Sequence, residues 1–346
     1  MTWISFLVIW FLSFTVRNVE AFTPKAEKGH KVSVWAKVPH PLQMKYSPTT
    51  KTLYIASHDN GGTLFRVHQG QVVPLLTGLN SPSSLELYKG DLYIAQKQEI
   101  TVIKKIDQYL TSKQKPKLQT IKGGLPQDYQ NSLKRILIHK DFLYLGLGSP
   151  CNVCLPQDPA GTIQKMKLDG SQATILARGI RVAGFIALHP QDSSLWFSDL
   201  NREKLGPNLP AAELNILKTD AHYGFPFVHG KDVKDNFYFA QKPQDLKIEL
   251  PHRELPAHSQ PTAVFFGPQK NCLLLVLNGF KHEGVWSEPK VIESCQSAGV
   301  WKDRNLLSGF LEINTLKGRP FDLIALSPRE FLVSDEFLGV IWKLEL

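Results

Sequence analysis

Arg135, Arg181 and Arg319 each introduce an apolar stretch of similar length, and His258, in Pro256-Ala-His-Ser-Gln-Pro261, precedes a fourth. Lys134 adjoins Arg135. Guanidinium groups suit bidentate recognition of carboxylates. Like charges gathered in one cleft repel unless an anion or an acidic partner offsets them. Two readings stay open at this point. One is a pocket for a polyanionic or carboxylated ligand. The other is a set of ion pairs lining a channel, with Asp322 against Arg319 and Asp199 against Arg181. Asp199, Glu203, Glu213 and Asp220 could also ligate calcium together with backbone carbonyls, although their spacing is not that of an EF-hand. The remaining histidines are scattered without metal-ligand spacing and read as surface or core residues.

The elements that must position these residues recur six times. Each copy runs through an apolar stretch, turns, and resumes in a second apolar stretch. The first stretches are Leu42–Tyr46, Leu85–Tyr88, Arg135–Ile138, Phe185–Leu188, Ala263–Phe266 and Phe321–Leu326. The second are Leu53–Ala56, Leu92–Ala95, Leu143–Leu147, Leu195–Ser198, Leu273–Leu277 and Phe331–Ser334. A period of roughly 40 to 60 residues is in the range of propeller blades. One such unit cannot bury both its faces; six packed radially can, and they leave a central channel. The expected fold is all-β, a six-bladed β-propeller. His30–Val38 alternates, with Val32, Val34 and Ala36 on one face, and belongs to no blade of its own. It is expected to close the ring against the C-terminal blade, since a ring must remove its sheet edges. Asp107–Gln130, Pro150–Gly161, Asn201–Ala212 and Lys218–Ser259 read as long insertions, usual places for binding residues.

The chain has 346 residues, 42% of them hydrophobic, enough for one large all-β core. Its formal charge of +9 suits anionic partners, yet no Lys/Arg run argues for nucleic acid. Trp3–Val16 is continuously apolar or small and is followed by Val19-Glu20-Ala21. Residues 1–21 therefore read as a signal peptide, with an uncleaved anchor as the alternative because Arg17 lies after the apolar run. Export to the periplasm or the extracellular medium follows, and residues 22–346 form the propeller. The four cysteines allow three pairings; Cys151–Cys154 and Cys272–Cys295 are favoured, the second pair stapling neighbouring strands, with a redox motif or half a zinc site as alternatives for the first. Gly-x-Ser-x-Gly, Walker and Gly-x-Gly-x-x-Gly motifs are missing, which excludes a Rossmann nicotinamide enzyme.

Five ordered stretches make residues 130–346 resemble the glucose/sorbosone dehydrogenase family, six-bladed quinoproteins that use pyrroloquinoline quinone (PQQ). They are Leu147-Gly-Ser-Pro-Cys-Asn-Val-Cys154; Gly179-Ile-Arg-Val-Ala-Gly-Phe185 with Leu188-His-Pro190; Leu195-Trp-Phe-Ser-Asp199 through Glu213-Leu-Asn215 to His222-Tyr-Gly-Phe-Pro-Phe227; Pro256-Ala-His-Ser259; and Gly318-Arg-Pro-Phe-Asp322 through Val333-Ser-Asp335. The resemblance implies a dehydrogenase acting on an aldose, sorbosone or related sugar or alcohol. In that family a histidine takes the hydroxyl proton while hydride passes to the quinone, calcium polarises the quinone, and arginines hold its carboxylates. Arg181 matches the arginine of the family's Gly-x-Arg-Asn motif, and Asp199 and Arg202 match parts of its Asp-Asn-Gly-Arg loop. Tyr223, His258, Arg319 and Asp322 match further motif positions. The implied cofactor-binding set is Arg135, Arg181, His258, Arg319 and Asp322, and the implied calcium set is Asp199 and Asn201.

The departures bear on the chemistry. Ser132 stands three residues before Arg135, where the family carries its catalytic histidine. Serine does not titrate near neutral pH and cannot replace an imidazole unaided. Val182 replaces the motif asparagine, Leu200-Asn201 replaces Asn-Gly, and Asn278-Gly-Phe-Lys-His-Glu283 replaces His-Gly-Ser-Trp-Asn-Arg. Three functions follow: a PQQ-dependent dehydrogenase with an altered base, a catalytically inactive exported propeller that binds a carbohydrate or protein partner, or a metal-dependent hydrolase or lactonase.

Overall fold

The computed structural model describes residues 22–112, 114–126, 133–200, 202–267, 269 and 271–346, and these form a six-bladed β-propeller. The expected signal peptide lies outside them. Blade 1 consists of Pro41–Ser47, Thr52–Ser57, Thr63–His68 and Gln71–Thr77. Blade 2 consists of Ser84–Tyr88, Asp91–Ala95, Ile100–Ile103 and Gln119–Lys122. Blade 3 runs Arg135–His139, Phe142–Leu147, Thr162–Lys167 and Thr174–Arg178, with Ala221–His222 added in parallel at its edge. Blade 4 runs Ala183–Leu188, Leu195–Asp199, Ala212–Ile216 and Arg253–Leu255. Blade 5 is Pro261–Phe266, Cys272–Leu277, Lys290–Ser297 and Val300–Ser308, edged by Lys25–Ala26. Blade 6 is Pro320–Ser327, Glu330–Asp335 and Val340–Glu345, and its fourth strand is the N-terminal Lys31–Lys37. The ring therefore closes as expected, by pairing the two ends of the chain.

Three details differ from the sequence expectation. Val34 is 44% exposed, because the register shifts between Val34 and Ala36 and rotates the strand at Trp35. A bulge breaks period-2 alternation in this way. The fourth strands of blades 2 and 4, Gln119–Lys122 and Arg253–Leu255, lie inside segments that read as insertions. Val285–Glu293, whose apolar residues read in sequence as one strand of the fifth blade, divides into Val285–Trp286, in a small hairpin with Lys281–His282, and the blade strand that starts at Lys290. Both disulfides form as expected. Cys272 and Cys295 are directly opposed on adjacent strands, with Cα atoms 4.1 Å apart. Among the described residues, no helix is long and apolar enough to cross a membrane.

Apolar clusters between neighbouring blades carry the packing; Trp342, Phe310, Val333 and Leu274 meet between blades 5 and 6. Polar links close the inner ring. Asp322 Oδ2 accepts the Met44 N–H at 2.7 Å, joining blade 6 to blade 1. Gln43 Oε1 accepts from Ser84 Oγ (2.7 Å) and from the Leu85 N–H (2.6 Å), joining blade 1 to blade 2. Ser83 Oγ donates to the Lys134 carbonyl at 3.0 Å, joining blades 2 and 3. The Ser149 N–H donates to the Arg181 carbonyl at 2.6 Å, joining blades 3 and 4. Ser198 Oγ donates to the Pro261 carbonyl (2.8 Å) and Thr262 Oγ1 to the Phe321 carbonyl (2.5 Å), completing the circle. Each bond contributes about 0.5–1.5 kcal/mol, but orphaning a buried partner costs about 1–3 kcal/mol. The ring is thus held in register by polar side chains, and between blades 3 and 4 by a main-chain bond, none of which an apolar pattern reveals.

Candidate functional site at the channel mouth

All six inner strands start at the same end of the ring, and all six second strands finish there. That end is the channel mouth. The starts deliver His40, Ser83, Arg135, Arg181, Gln260 and Arg319; the finishes deliver His58, Gln96, Ser149, Leu200, Asn278 and Glu336.

Arg135 reaches across the axis. Its guanidinium lies 5.0 Å from the ring centroid of Phe321, on the inner strand of the diametrically opposite blade. NH1 donates to the Ser83 carbonyl at 2.9 Å. Nε and NH2 have no hydrogen-bond partner, and the residue is 1% exposed. Burial pushes its pKa down to about 10, against the pull of the Asp322 and Glu336 carboxylates. It therefore stays charged at neutral pH, with two donor nitrogens buried and unmet. Such groups are rare and costly.

Arg181 and Arg319 are differently placed. Arg181 Nε and NH2 donate to the Asn152 carbonyl (3.1 Å) and Oδ1 (3.0 Å), NH1 to the Leu200 carbonyl (2.8 Å), and NH2 also to Glu203 Oε1 (3.2 Å). It fastens the Cys151–Cys154 loop to the loop after the second strand of blade 4. The partner is Glu203; Asp199 instead uses its two carboxylate oxygens on the N–H groups of Arg181 (2.9 Å) and Val182 (2.8 Å). Arg319 donates to the carbonyls of Asn278 (3.3 Å) and Gly279 (3.0 Å) and to Gln260 Oε1 (3.3 Å), and pairs with Glu336 at 3.3 Å. The expected Asp322–Arg319 pair gives way to Arg319–Glu336, because Asp322 turns inward to Met44 while Glu336 stands at the mouth. His258 Nε2 lies 2.9 Å from the Gly206 carbonyl, and its ring stacks on His282 at 4.2 Å. Burial lowers the His258 pKa, so the ring is neutral and donates through Nε2.

Two matched residues serve the scaffold. Tyr223 is 3% exposed; its hydroxyl donates to the Ile216 carbonyl at 2.6 Å and accepts the Lys218 N–H at 2.8 Å. Arg202 pairs with buried Asp235, which also receives His229 Nε2 at 3.0 Å. That cluster locks the 218–259 segment onto blade 4. Ser132 and Asn201 lie outside the described residues.

Sequence reasoning missed His58 and His40. His58 follows the second strand of blade 1, the position that Asn278 and Glu336 occupy in blades 5 and 6. Its ring is solvent-accessible, yet the concave surroundings desolvate it enough to lower its pKa, with Glu336 opposing and His40 and Arg135 adding to the effect. His40 Nδ1 lies 3.2 Å from the Glu336 carbonyl. The signal was available: aligning the strand ends of the six repeats places both histidines at the mouth. Below it, the channel holds a cavity of about 270 Å³ lined by Gln43, Lys45, Thr262, Asp322 and apolar side chains.

No family model matches the chain. An uncharacterized protein of Borreliella burgdorferi is 26% identical over 289 residues, covering 77% of this chain and 76% of that one. Among solved structures, the Carbohydrate-Active Enzymes Family AA12 protein of Trichoderma reesei superposes with a TM-score of 0.75, at 14% identity over 93% of this chain and 97% of that one. The PQQ domain of pyranose dehydrogenase from Coprinopsis cinerea, in its holo form, superposes with a TM-score of 0.72, at 16% identity over 94% and 97%. The fold is that of the sugar-dehydrogenase propellers.

Two cofactors, PQQ and calcium, are implied by the family resemblance, and the residues present bear on each. Arg135, with two unmet N–H donors on the axis, fits a carboxylate. Asn201 of the expected calcium pair lies outside the described residues, and among the described residues no cluster of three or more His, Cys, Asp or Glu side chains could hold a metal. Asp199 and Glu213 face each other on neighbouring strands, but main-chain and amide donors occupy both carboxylates. Asp220 sits in an exposed turn.

Proposed function

We propose that this chain is an exported oxidoreductase that oxidises a sugar or related alcohol with PQQ bound at the channel mouth. The observation that carries the reading is Arg135: a charged guanidinium on the channel axis with Nε and NH2 unpaired. An anionic partner would supply the missing acceptors, and a carboxylate matches the fork of an arginine. Because Arg135 is 1% exposed, an arriving anion must displace neighbouring side chains to reach it. Bound there, the quinone would serve as hydride acceptor. The substrate hydroxyl needs a proton acceptor, and His58 provides one: its lowered pKa keeps a ring nitrogen unprotonated and accessible at the same mouth. Arg319 and Glu336, joined to each other and partly exposed, offer donors and acceptors to the remaining hydroxyls. No step is assigned to calcium.

The experiment is reconstitution of the purified protein with PQQ, followed by dye reduction on aldoses, for wild type and His58→Gln. Turnover that falls by about 10²–10⁴-fold in the variant supports a general base at this position. Wild-type turnover should itself decline as pH drops below the ordinary imidazole range near 6.5. A second reading is favoured by the internal engagement of Arg181 and Arg319: a propeller without chemistry, in which Arg135 plugs the channel. Absence of any PQQ-dependent turnover in the wild type would support it.

A further inference from the structure

A second cleft lies at the opposite end of the ring, on blades 4 and 5. It has a volume of about 240 Å³. Phe266 ends the inner strand of blade 5, and Trp196 lies near the start of the second strand of blade 4, so both point away from the mouth. The aromatic rings form a continuous wall. Trp301 meets His252 edge-on at 6.0 Å, His252 meets Trp196 at 4.8 Å, and Trp196 meets Phe266 at 5.6 Å. One face of Trp301 is covered by the Arg253 guanidinium at 4.8 Å, itself held by Asp303 through two bonds of 2.7 Å. The Arg253 contact thereby restrains the orientation of Trp301, which lines the cleft. Asn271 and Gln296 carry side-chain amides on the rim, and the main-chain bond from the Gln296 N–H to the Asn271 carbonyl (2.8 Å) ties the two segments together. The Cys272–Cys295 disulfide crosses immediately beneath them.

We propose that this cleft binds a single hexose ring, free or at the end of a saccharide, at a site separate from the channel mouth. The chemistry is specific on three counts. Aromatic faces carry a negative quadrupole that attracts the weakly positive C–H face of a pyranose. Side-chain amides offer one acceptor and two donors each, matching vicinal hydroxyls. The volume is below the roughly 300–1,000 Å³ of sites for drug-sized ligands, so it suits one ring. The rigid disulfide floor lowers the ordering cost of binding. The site stands apart from PQQ chemistry and holds whether or not the mouth is catalytic.

The test is saturation-transfer NMR and tryptophan fluorescence on the full exported chain with methyl β-D-glucoside. Four proteins are compared: wild type, Trp301→Ala, Gln296→Ala and Arg135→Leu. The proposal expects binding with Kd of about 1 mM, a plausible strength for one small ring. It expects at least about tenfold weakening in Trp301→Ala and measurable weakening in Gln296→Ala, with Arg135→Leu unchanged. Gln296→Ala keeps the test decisive if the tryptophan variant fails to fold, because Gln296 is a rim residue. Loss of binding in Arg135→Leu with retention in the two cleft variants would place the sugar at the mouth and overturn the proposal. No saturation transfer from the glucoside would overturn it, as would binding of tetramethylammonium chloride in its stead.

Discussion

At the scale of single residues, the mouth separates arginines that build from one that waits. Arg181 and Arg319 donate to carbonyls and carboxylates of their own chain, so replacing either should loosen loops. Arg135 differs. Arg135→Leu removes a buried charge with two unmet donors but also leaves the Ser83 carbonyl without its donor, so the thermal midpoint of the ligand-free protein should shift little. Arg181→Leu should lower it, leaving Glu203 and the Asn152 and Leu200 carbonyls without their partner, at about 1–3 kcal/mol. Calorimetry of the two variants checks the contrast. Buried carboxyls add a pH signature. Burial raises Asp199, Asp322 and Asp335 to about 6, above their ordinary value of 3.8. A carboxyl whose folded pKa is raised binds its proton more tightly in the native state. Its contribution is present below about pH 4 and is lost as pH rises through about 6. Stability from this source should fall between pH 4 and pH 7, and Asp322→Asn should flatten that slope in melting curves taken across the interval.

At the scale of elements, the strands were legible and the seams between them were not. All twelve apolar stretches read from the sequence sit inside inner and second strands, because alternation and turn residues report burial directly. Gln119–Lys122 escaped because it is short and largely solvated, and Arg253–Leu255 because it is three residues long and two of them, Arg253 and Glu254, are charged, so each carries a weak apolar signal. His58 escaped for another reason: its place is set by the end of a strand, not by its neighbours in sequence. Arg135 could be named but not distinguished from Arg181 and Arg319, since engagement of a guanidinium depends on carbonyls from distant loops. Gly184 marks how tightly the seams close. A Cβ there would lie 2.2 Å from the Pro261 carbonyl and 2.6 Å from Ser198 Oγ, the two partners of the bond that joins blades 4 and 5. Gly184→Ala should therefore force the blades apart and cost about 1–3 kcal/mol, read as a lower denaturant midpoint.

At the scale of the molecule, closure and function are linked through one ring. Lys31–Lys37 supplies the fourth strand of blade 6, so its deletion exposes the edge of Val340–Glu345 and removes packing around Val32, Trp35 and Ala36. The expected outcome is a markedly lower melting temperature for the whole propeller rather than local fraying, because blade 6 also holds Asp322 against Met44 and Phe321 beneath Arg135. The mouth is thus assembled from both ends of the chain and from opposite blades, and its cationic centre is a property of the closed ring. The most direct measurement is a fluorescence titration of PQQ into wild type and Arg135→Leu without added metal. The account predicts saturable wild-type binding and at least about tenfold weaker binding in the variant, as expected for a lost charge-assisted pair. Equal affinities in the two proteins, or no binding to the wild type, would contradict it.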